Sequence, residues 1–132
     1  MTDSQKAYWA GFFDGEGCVS IYERRREPGR FSYRVQLTQK KPEPIDELIA
    51  LFGGRRLKMT NGCWSWVLTG PQSERVMISL LPWLKQKATQ ARQFVLARSW
   101  LRVSRPDRRL RKPLFTRALR TIVHLMKQEK HR

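Results

Sequence analysis

The stretch Tyr8-Trp9-Ala10-Gly11-Phe12-Phe13-Asp14-Gly15-Glu16-Gly17-Cys18-Val19-Ser20 decides how the rest of the chain is read. Its first part is a helix in which Ala10, Gly11 and Gly15 are small enough for a second helix backbone to come close. Its end, Gly15-Glu16-Gly17, leaves one carboxylate at a glycine-flanked helix terminus just before a strand, without steric cover from its neighbours. An acid there opposes the partly negative end of the helix dipole. The chain has 11 acids against 27 Lys and Arg. In so acid-poor a chain that placement points to a use, and a divalent cation would offset the local cost.

Outward from this segment, Asp3 or Ser4 can cap a helix over Ser4–Asp14, and Gly15 or Gly17 can stop it. Two extended runs follow, Cys18–Arg24 and Phe31–Thr38, joined across the turn signal Pro28-Gly29. Pro42 and Pro44 open a second helix through Ile45, Leu48, Ile49 and Phe52, ended by Gly53-Gly54. Arg55–Thr60 and Cys63–Thr69 flank Asn61-Gly62, which predicts a tight two-residue hairpin. Pro71–Leu81 and Lys85–Val103 read as helices. A last basic helix runs from Leu114 to about Lys130, with Leu119, Ile122, Val123 and Met126 on its apolar stripe. The order is αββαββα with further C-terminal helices: an α+β fold whose two hairpins join in one antiparallel, four-stranded sheet. Residues 1–103 form the core, and residues 104–132 a basic helical extension of the same domain.

The 132 residues carry a net charge of +16. That length suits one domain. Hydrophobic residues at 40%, with five Trp, argue against general disorder. No run of about 18–20 apolar residues could span a membrane, and no signal-peptide core follows the start. Cys18 and Cys63 cannot build a disulfide framework and lack zinc-ligand spacing with His124 and His131. A reducing, intracellular setting fits. A folded chain this basic is expected to meet a polyanion, most commonly nucleic acid, and no membrane.

Strand alternation indicates what would meet that partner. Val19 and Ile21, then Phe31, Tyr33, Val35 and Leu37, then Trp64, Trp66 and Leu68, form apolar faces for helices to cover. The opposite faces carry Ser20, Tyr22 and Arg24; Arg30, Ser32, Arg34, Gln36 and Thr38; Arg56, Lys58 and Thr60; and Ser65 and Val67. With Arg26 in the first hairpin turn, these are the expected DNA-binding residues, because such groups bond base edges and phosphates. Arg105, Arg108, Arg109 and Arg111 are further candidates for phosphate contacts.

Trp9-Ala10-Gly11-Phe12-Phe13-Asp14-Gly15-Glu16-Gly17 resembles the motif of the LAGLIDADG homing endonucleases, with Trp9 for the first Leu and Glu16 for the last Asp. The αββαββα order over Ser4–Trp100 is similar as well. Leu37-Thr38-Gln39-Lys40 resembles the end of the family's second strand, where a Gln lies beside the cleavage centre. Leu80-Leu81-Pro82-Trp83-Leu84-Lys85-Gln86-Lys87, followed by Gln90-Ala91, resembles the segment that delivers an active-site Lys. The resemblance puts that role on Lys87, with Lys85 as the alternative. A second basic residue found in some relatives just after the Gln is replaced here by Pro42 and Glu43.

The resemblance implies a site-specific endonuclease with a four-stranded saddle sheet, acting as a homodimer on a long pseudo-palindromic site in double-stranded DNA. Glu16 and the Gly15 carbonyl would bind Mg²⁺, with Mn²⁺ tolerated. Lys87 and Gln39 would complete the catalytic set, and Ala10, Gly11 and Gly15 would form the dimer interface. The setting would be the cytoplasm or nucleoid of a bacterium or phage host, or an organelle. Asp14 reads as a structural hydrogen-bond acceptor. Two other classes compete: a non-catalytic binder on the same fold, such as an intron maturase acting on RNA or a transcription regulator, and a small RNA-packing protein. Retention of Glu16, Gln39 and Lys87 favours the nuclease over the first. The ordered polar strand faces disfavour the second, since charge neutralisation needs no such order.

Overall fold

Thr2 starts the first helix of the computed structural model, which describes residues 1–103 and 113–130. Its hydroxyl accepts the Gln5 N–H at 3.1 Å, and the Gln5 side-chain oxygen accepts the Thr2 N–H at 2.9 Å. This reciprocal cap displaces the expected Asp3 or Ser4 cap and starts α1 (Asp3–Glu16) one residue earlier. Gly15 does not stop the helix. The ladder runs on until the Gly17 N–H meets the Phe13 carbonyl. Gly17 is needed there for space, because a Cβ would overlap the Phe13 ring.

The remaining elements are β1 (Gly17–Glu23), β2 (Phe31–Gln39), α2 (Glu43–Phe52), β3 (Arg55–Lys58), β4 (Trp64–Thr69), α3 (Gly70–Leu80), a 3₁₀ turn (Leu81–Trp83), α4 (Ala88–Val103) and α5 (Pro113–Lys130). The expected α+β architecture is present: one antiparallel sheet in the order β1-β2-β4-β3, with helices against it. Ser20 pairs with Arg34, Tyr22 with Ser32, Gln36 with Val67 and Thr38 with Ser65, so these side chains share one face. Val19, Ile21, Val35, Leu37, Trp66 and Leu68 share the other and are buried beneath the helices.

The parity of β3 is the reverse of that expected. Arg55 pairs with Val67 and Leu57 with Ser65, which puts both on the polar face; Arg56 and Lys58 pair with Trp66 and Trp64 on the helix side. The cause is one residue in the hairpin. The Met59 N–H bonds the Cys63 carbonyl at 2.8 Å, and the Gly62 N–H bonds the Met59 carbonyl at 3.0 Å, so the loop is Thr60-Asn61-Gly62. Only Gly62 takes positive φ there, +86°, as in a type I turn closed by a glycine bulge. A two-residue loop would have turned every β3 side chain over. No burial resists this register, since all four β3 residues are exposed at the sheet edge.

One core runs through the fold. Trp9, Ala10 and Phe13 of α1, Ile45 and Leu48 of α2, Val76, Met77 and Leu80 of α3, and Ala91, Phe94 and Ala97 of α4 pack on the sheet. The Leu119, Ile122, Val123 and Met126 stripe of α5 joins the same cluster. Among the described residues, no helix is long and apolar enough to cross a membrane. Arg105, Arg108, Arg109 and Arg111 lie outside the described residues.

A fork of two 2.7 Å hydrogen bonds from Arg120 to Glu23 anchors α5 to the end of β1, and the Gly29 N–H adds a third bond to that carboxylate at 2.8 Å. Chiefly the Arg120 bonds lower the Glu23 pKa from 4.5 to about 2. A depressed carboxylate pKa contributes stability above the unfolded value, and that contribution disappears as pH falls through the folded one. The stability difference between the wild type and Glu23→Gln should therefore be full above pH 4.5 and vanish towards pH 2. Denaturant titrations of the two proteins across that window would check it. A difference independent of pH would show that the anchor is not ionic.

Candidate active site and nucleic-acid interface

Glu16 is the last residue of α1, and its side chain is exposed. It lines an open cleft with Thr38, Gln39, Lys40, Lys41 and Cys63, so two of the three expected catalytic residues meet there. Lys87 reaches the same helix terminus by another route. The Asp14 carboxylate accepts the backbone N–H of Lys85 at 2.8 Å and that of Lys87 at 3.0 Å. This delays the start of α4 from the expected Lys85 to Ala88, because residues 85–87 form the turn that Asp14 holds. The Lys87 ammonium then donates to the Asp14 carbonyl at 2.8 Å, two residues before Glu16. A cation on a last-turn carbonyl complements the helix dipole. Lys85 offers Asp14 its backbone N–H.

The oxygen atoms at this terminus suit a hard cation. The Gly15 and Glu16 carbonyls fall in the last turn, beyond the reach of the helical ladder, and the Glu16 carboxylate stands beside them. Among the described residues, no cluster of three or more Asp, Glu, His or Cys side chains could enclose a metal. The described residues of one chain therefore offer only these few oxygen atoms at this terminus.

The polar sheet face offers fewer groups than expected. Ser65 and Val67 lie on it but are 0% and 1% exposed, which removes both as direct contacts. β4 lies between β2 and β3, and longer neighbours take up Ser65: Gln36 donates to its hydroxyl at 2.8 Å, and Thr38 shares a hydrogen bond with it at 3.1 Å. Ser20, Tyr22, Ser32, Arg34, Gln36 and Thr38 all keep some accessible surface. Arg24 bonds the Ser32 hydroxyl at 2.8 Å, Arg30 pairs with Glu27, and Arg26 is exposed in the intervening turn.

Arg56 and Lys58 are committed to the other side of the sheet and are withdrawn from this face. Arg56 stacks 4.6 Å over Trp64 and bonds Asp46 at 2.8 Å; Lys58 sits 5.3 Å from the same ring. Thr60 is in the hairpin loop, outside the strand. Arg55 and Leu57 replace them on the polar face, and Leu57 adds an apolar group of the kind that meets a thymine methyl. The only sequence signal for this exchange was the loop length.

The outer side of α1 is uncovered. Ala10 is 0% exposed inside its own core and cannot serve as an interface residue. Gly11 and Gly15 are exposed, and among the described residues a Cβ on either would meet nothing within 4 Å. Ala7 and Tyr8 continue the same exposed surface. Among the described residues, the smallness of the two glycines therefore makes room for no contact within the chain.

Residues 9–96 match the family model described as LAGLIDADG endonuclease. The fold is shared with the homing endonuclease I-CvuI, solved with its target and Ca, at a TM-score of 0.81 and 18% identity, over 96% of this chain and 82% of that one. The archaeal intron-encoded homing endonuclease I-Vdi141I, solved with DNA, aligns at 0.81 and 18%, over 96% and 84%. I-LtrWI, a LAGLIDADG homing endonuclease bound to target DNA, aligns at 0.77 and 16%, over 94% of this chain but 44% of that one. No curated protein matches the chain.

Proposed function

We propose, from the premise that this chain belongs to the LAGLIDADG endonuclease family, that two copies of it cut both strands of a long pseudo-palindromic DNA site by Mg²⁺-dependent phosphodiester hydrolysis. The observation that carries this is the terminus of α1: an exposed Glu16 in a cleft with Gln39, beside a Lys87 ammonium fixed by Asp14. Glu16 and the Gly15 carbonyl would hold Mg²⁺, with Mn²⁺ as a substitute. When bound, the metal supplies charge stabilisation at the phosphate and a more acidic water. Gln39 orients the attacking water through its amide. Lys87, whose ammonium is held by the Asp14 carbonyl, stabilises negative charge developing at the scissile phosphate.

One chain carries one Glu16, so cutting both strands requires a second copy, and the open Gly11–Gly15 stripe suits a close two-fold helix pair. That pair would unite two sheets into one basic saddle over the duplex. The α5 helix packs on the same core through Leu119, Ile122, Val123 and Met126. Incubation with a randomised double-stranded DNA library, with and without Mg²⁺, tests the proposal. Cuts at one sequence only with metal are expected. Specific retention without cutting in either Mg²⁺ or Mn²⁺ would instead mark a non-catalytic binder.

Arg34 and Gln36 lie mid-strand on the polar face, where Arg matches guanine and Gln matches adenine in bidentate geometry. The Gln36 amide is oriented by its bond to Ser65, which leaves its carbonyl oxygen and second N–H available. Replacing either by Ala should relax preference at one symmetric pair of positions, by about 1–3 kcal/mol per base pair read. Selection of sites by each variant checks this. An even loss over all sequences would identify the residue as a phosphate contact.

A further inference from the structure

α1 ends without a basic residue of its own. Its last turn is Phe13-Asp14-Gly15-Glu16, and the final helical bond runs from the Gly17 N–H to the Phe13 carbonyl. The carbonyls of Asp14, Gly15 and Glu16 therefore lie beyond the helical ladder, at the negative pole of the helix. Lys87, 73 positions away from Asp14, donates its ammonium to the first of these three, at 2.8 Å.

The cations nearby are held differently. Lys40 and Lys41 line the cleft with Glu16 on exposed side chains. Lys87 is half-buried, and two bonds from backbone N–H groups to the Asp14 carboxylate, 2.8 and 3.0 Å, fix the turn that carries it. One residue thus acts twice: the Asp14 carboxylate sets the turn, and the Asp14 carbonyl receives the ammonium. A divalent cation on Glu16 and the Gly15 carbonyl would share the helix pole with that ammonium. Carbonyls of one helical turn lie within a pitch of about 5.4 Å. Across such a distance an ammonium weakens the binding of a dication on the order of tenfold, even at the dielectric constant of water.

We infer that Lys87 is the resident counter-ion of the α1 terminus and that, in the DNA-free chain, it holds down the affinity of the Glu16 site for a divalent cation. This role is separate from the one at the scissile phosphate, and it rests on the metal reading of Glu16 and Gly15. The hydrogen bond of the side chain and its charge can be told apart. Lys87→Gln keeps an N–H donor for the Asp14 carbonyl and removes the charge, whereas Lys87→Arg keeps both.

Mn²⁺ titrated into the full chain without DNA, followed by loss of the free-ion electron paramagnetic resonance signal, tests the inference. Lys87→Gln should bind Mn²⁺ about tenfold more tightly than the wild type, and Lys87→Arg should match the wild type. Arg117→Gln also removes one positive charge, but from α5, three residues before the Arg120 anchor at the end of β1, and should change nothing. Each protein is titrated beside its Glu16→Gln counterpart, so that only ions needing that carboxylate are counted. A cap acting through its hydrogen bond alone would leave Lys87→Gln like the wild type. That result, an equal gain in Arg117→Gln, or no detectable binding in either the wild type or Lys87→Gln would overturn the inference. Mn²⁺ binding that survives Glu16→Gln in every protein would instead remove the metal reading itself, and the inference with it.

Discussion

Glu16→Gln is expected to abolish cleavage while leaving DNA binding and the fold intact. The change keeps the side-chain shape at an exposed helix terminus, and it removes an acid that opposes the helix dipole, so the protein should not be weakened. What is lost is the one carboxylate beside the Gly15 carbonyl. Metal assistance is worth several kcal/mol of transition-state stabilisation, which corresponds to a rate factor on the order of 10³ or more. Cleavage of a selected site in Mg²⁺ and equilibrium binding in its absence separate the two functions. Ordinary Mg²⁺-dependent nicking by the variant would remove Glu16 from the centre of the site.

Gly11→Leu should destroy double-strand cleavage without harming the isolated chain. Among the described residues a Cβ at Gly11 meets no atom within 4 Å, so one protomer can accept the larger residue without repacking. Gly in a helix interior costs roughly 1 kcal/mol relative to better helix formers, and the monomer should hold or gain stability. In a helix pair built on this stripe, a Leu would drive the axes apart towards the ordinary separation of about 8–10 Å or beyond. The two Glu16 carboxylates would then no longer be held together near the two-fold axis. Sedimentation of the protein–DNA complex and plasmid linearisation read both effects. One protomer per cleaved site in the wild type, or full activity in Gly11→Leu, would show the assembly to be different.

The residues that escaped the sequence share a cause. Ala10, Gly11 and Gly15 are all small, yet Ala10 faces the core and the two glycines face outward. Helical spacing groups such residues, but only packing tells which side of a helix its own chain covers. Ser65 and Val67 have the right parity on β4, but their central position lets neighbouring side chains close over them.

By itself, the sequence determined the order of elements, the apolar faces of β1, β2 and β4, the α5 stripe, and the Gly15-Glu16-Gly17 terminus. These depend on local periodicity and on turn chemistry within a few residues. Tertiary structure alone decided which face of β3 looks outward and which side of α1 is open, and it supplied the contact that brings Lys87, the lysine the resemblance favoured, to the end of α1. β3 is an exposed edge strand, so its hydrophobic pattern is too weak to set its register, and a third loop residue at Thr60 reversed it. Lys87 is selected over Lys85 by Asp14, more than seventy positions away in the chain, whose carboxylate folds residues 85–87 so that the Lys87 ammonium meets α1. Contacts between residues so far apart depend on the whole core being assembled, and no local spacing encodes them.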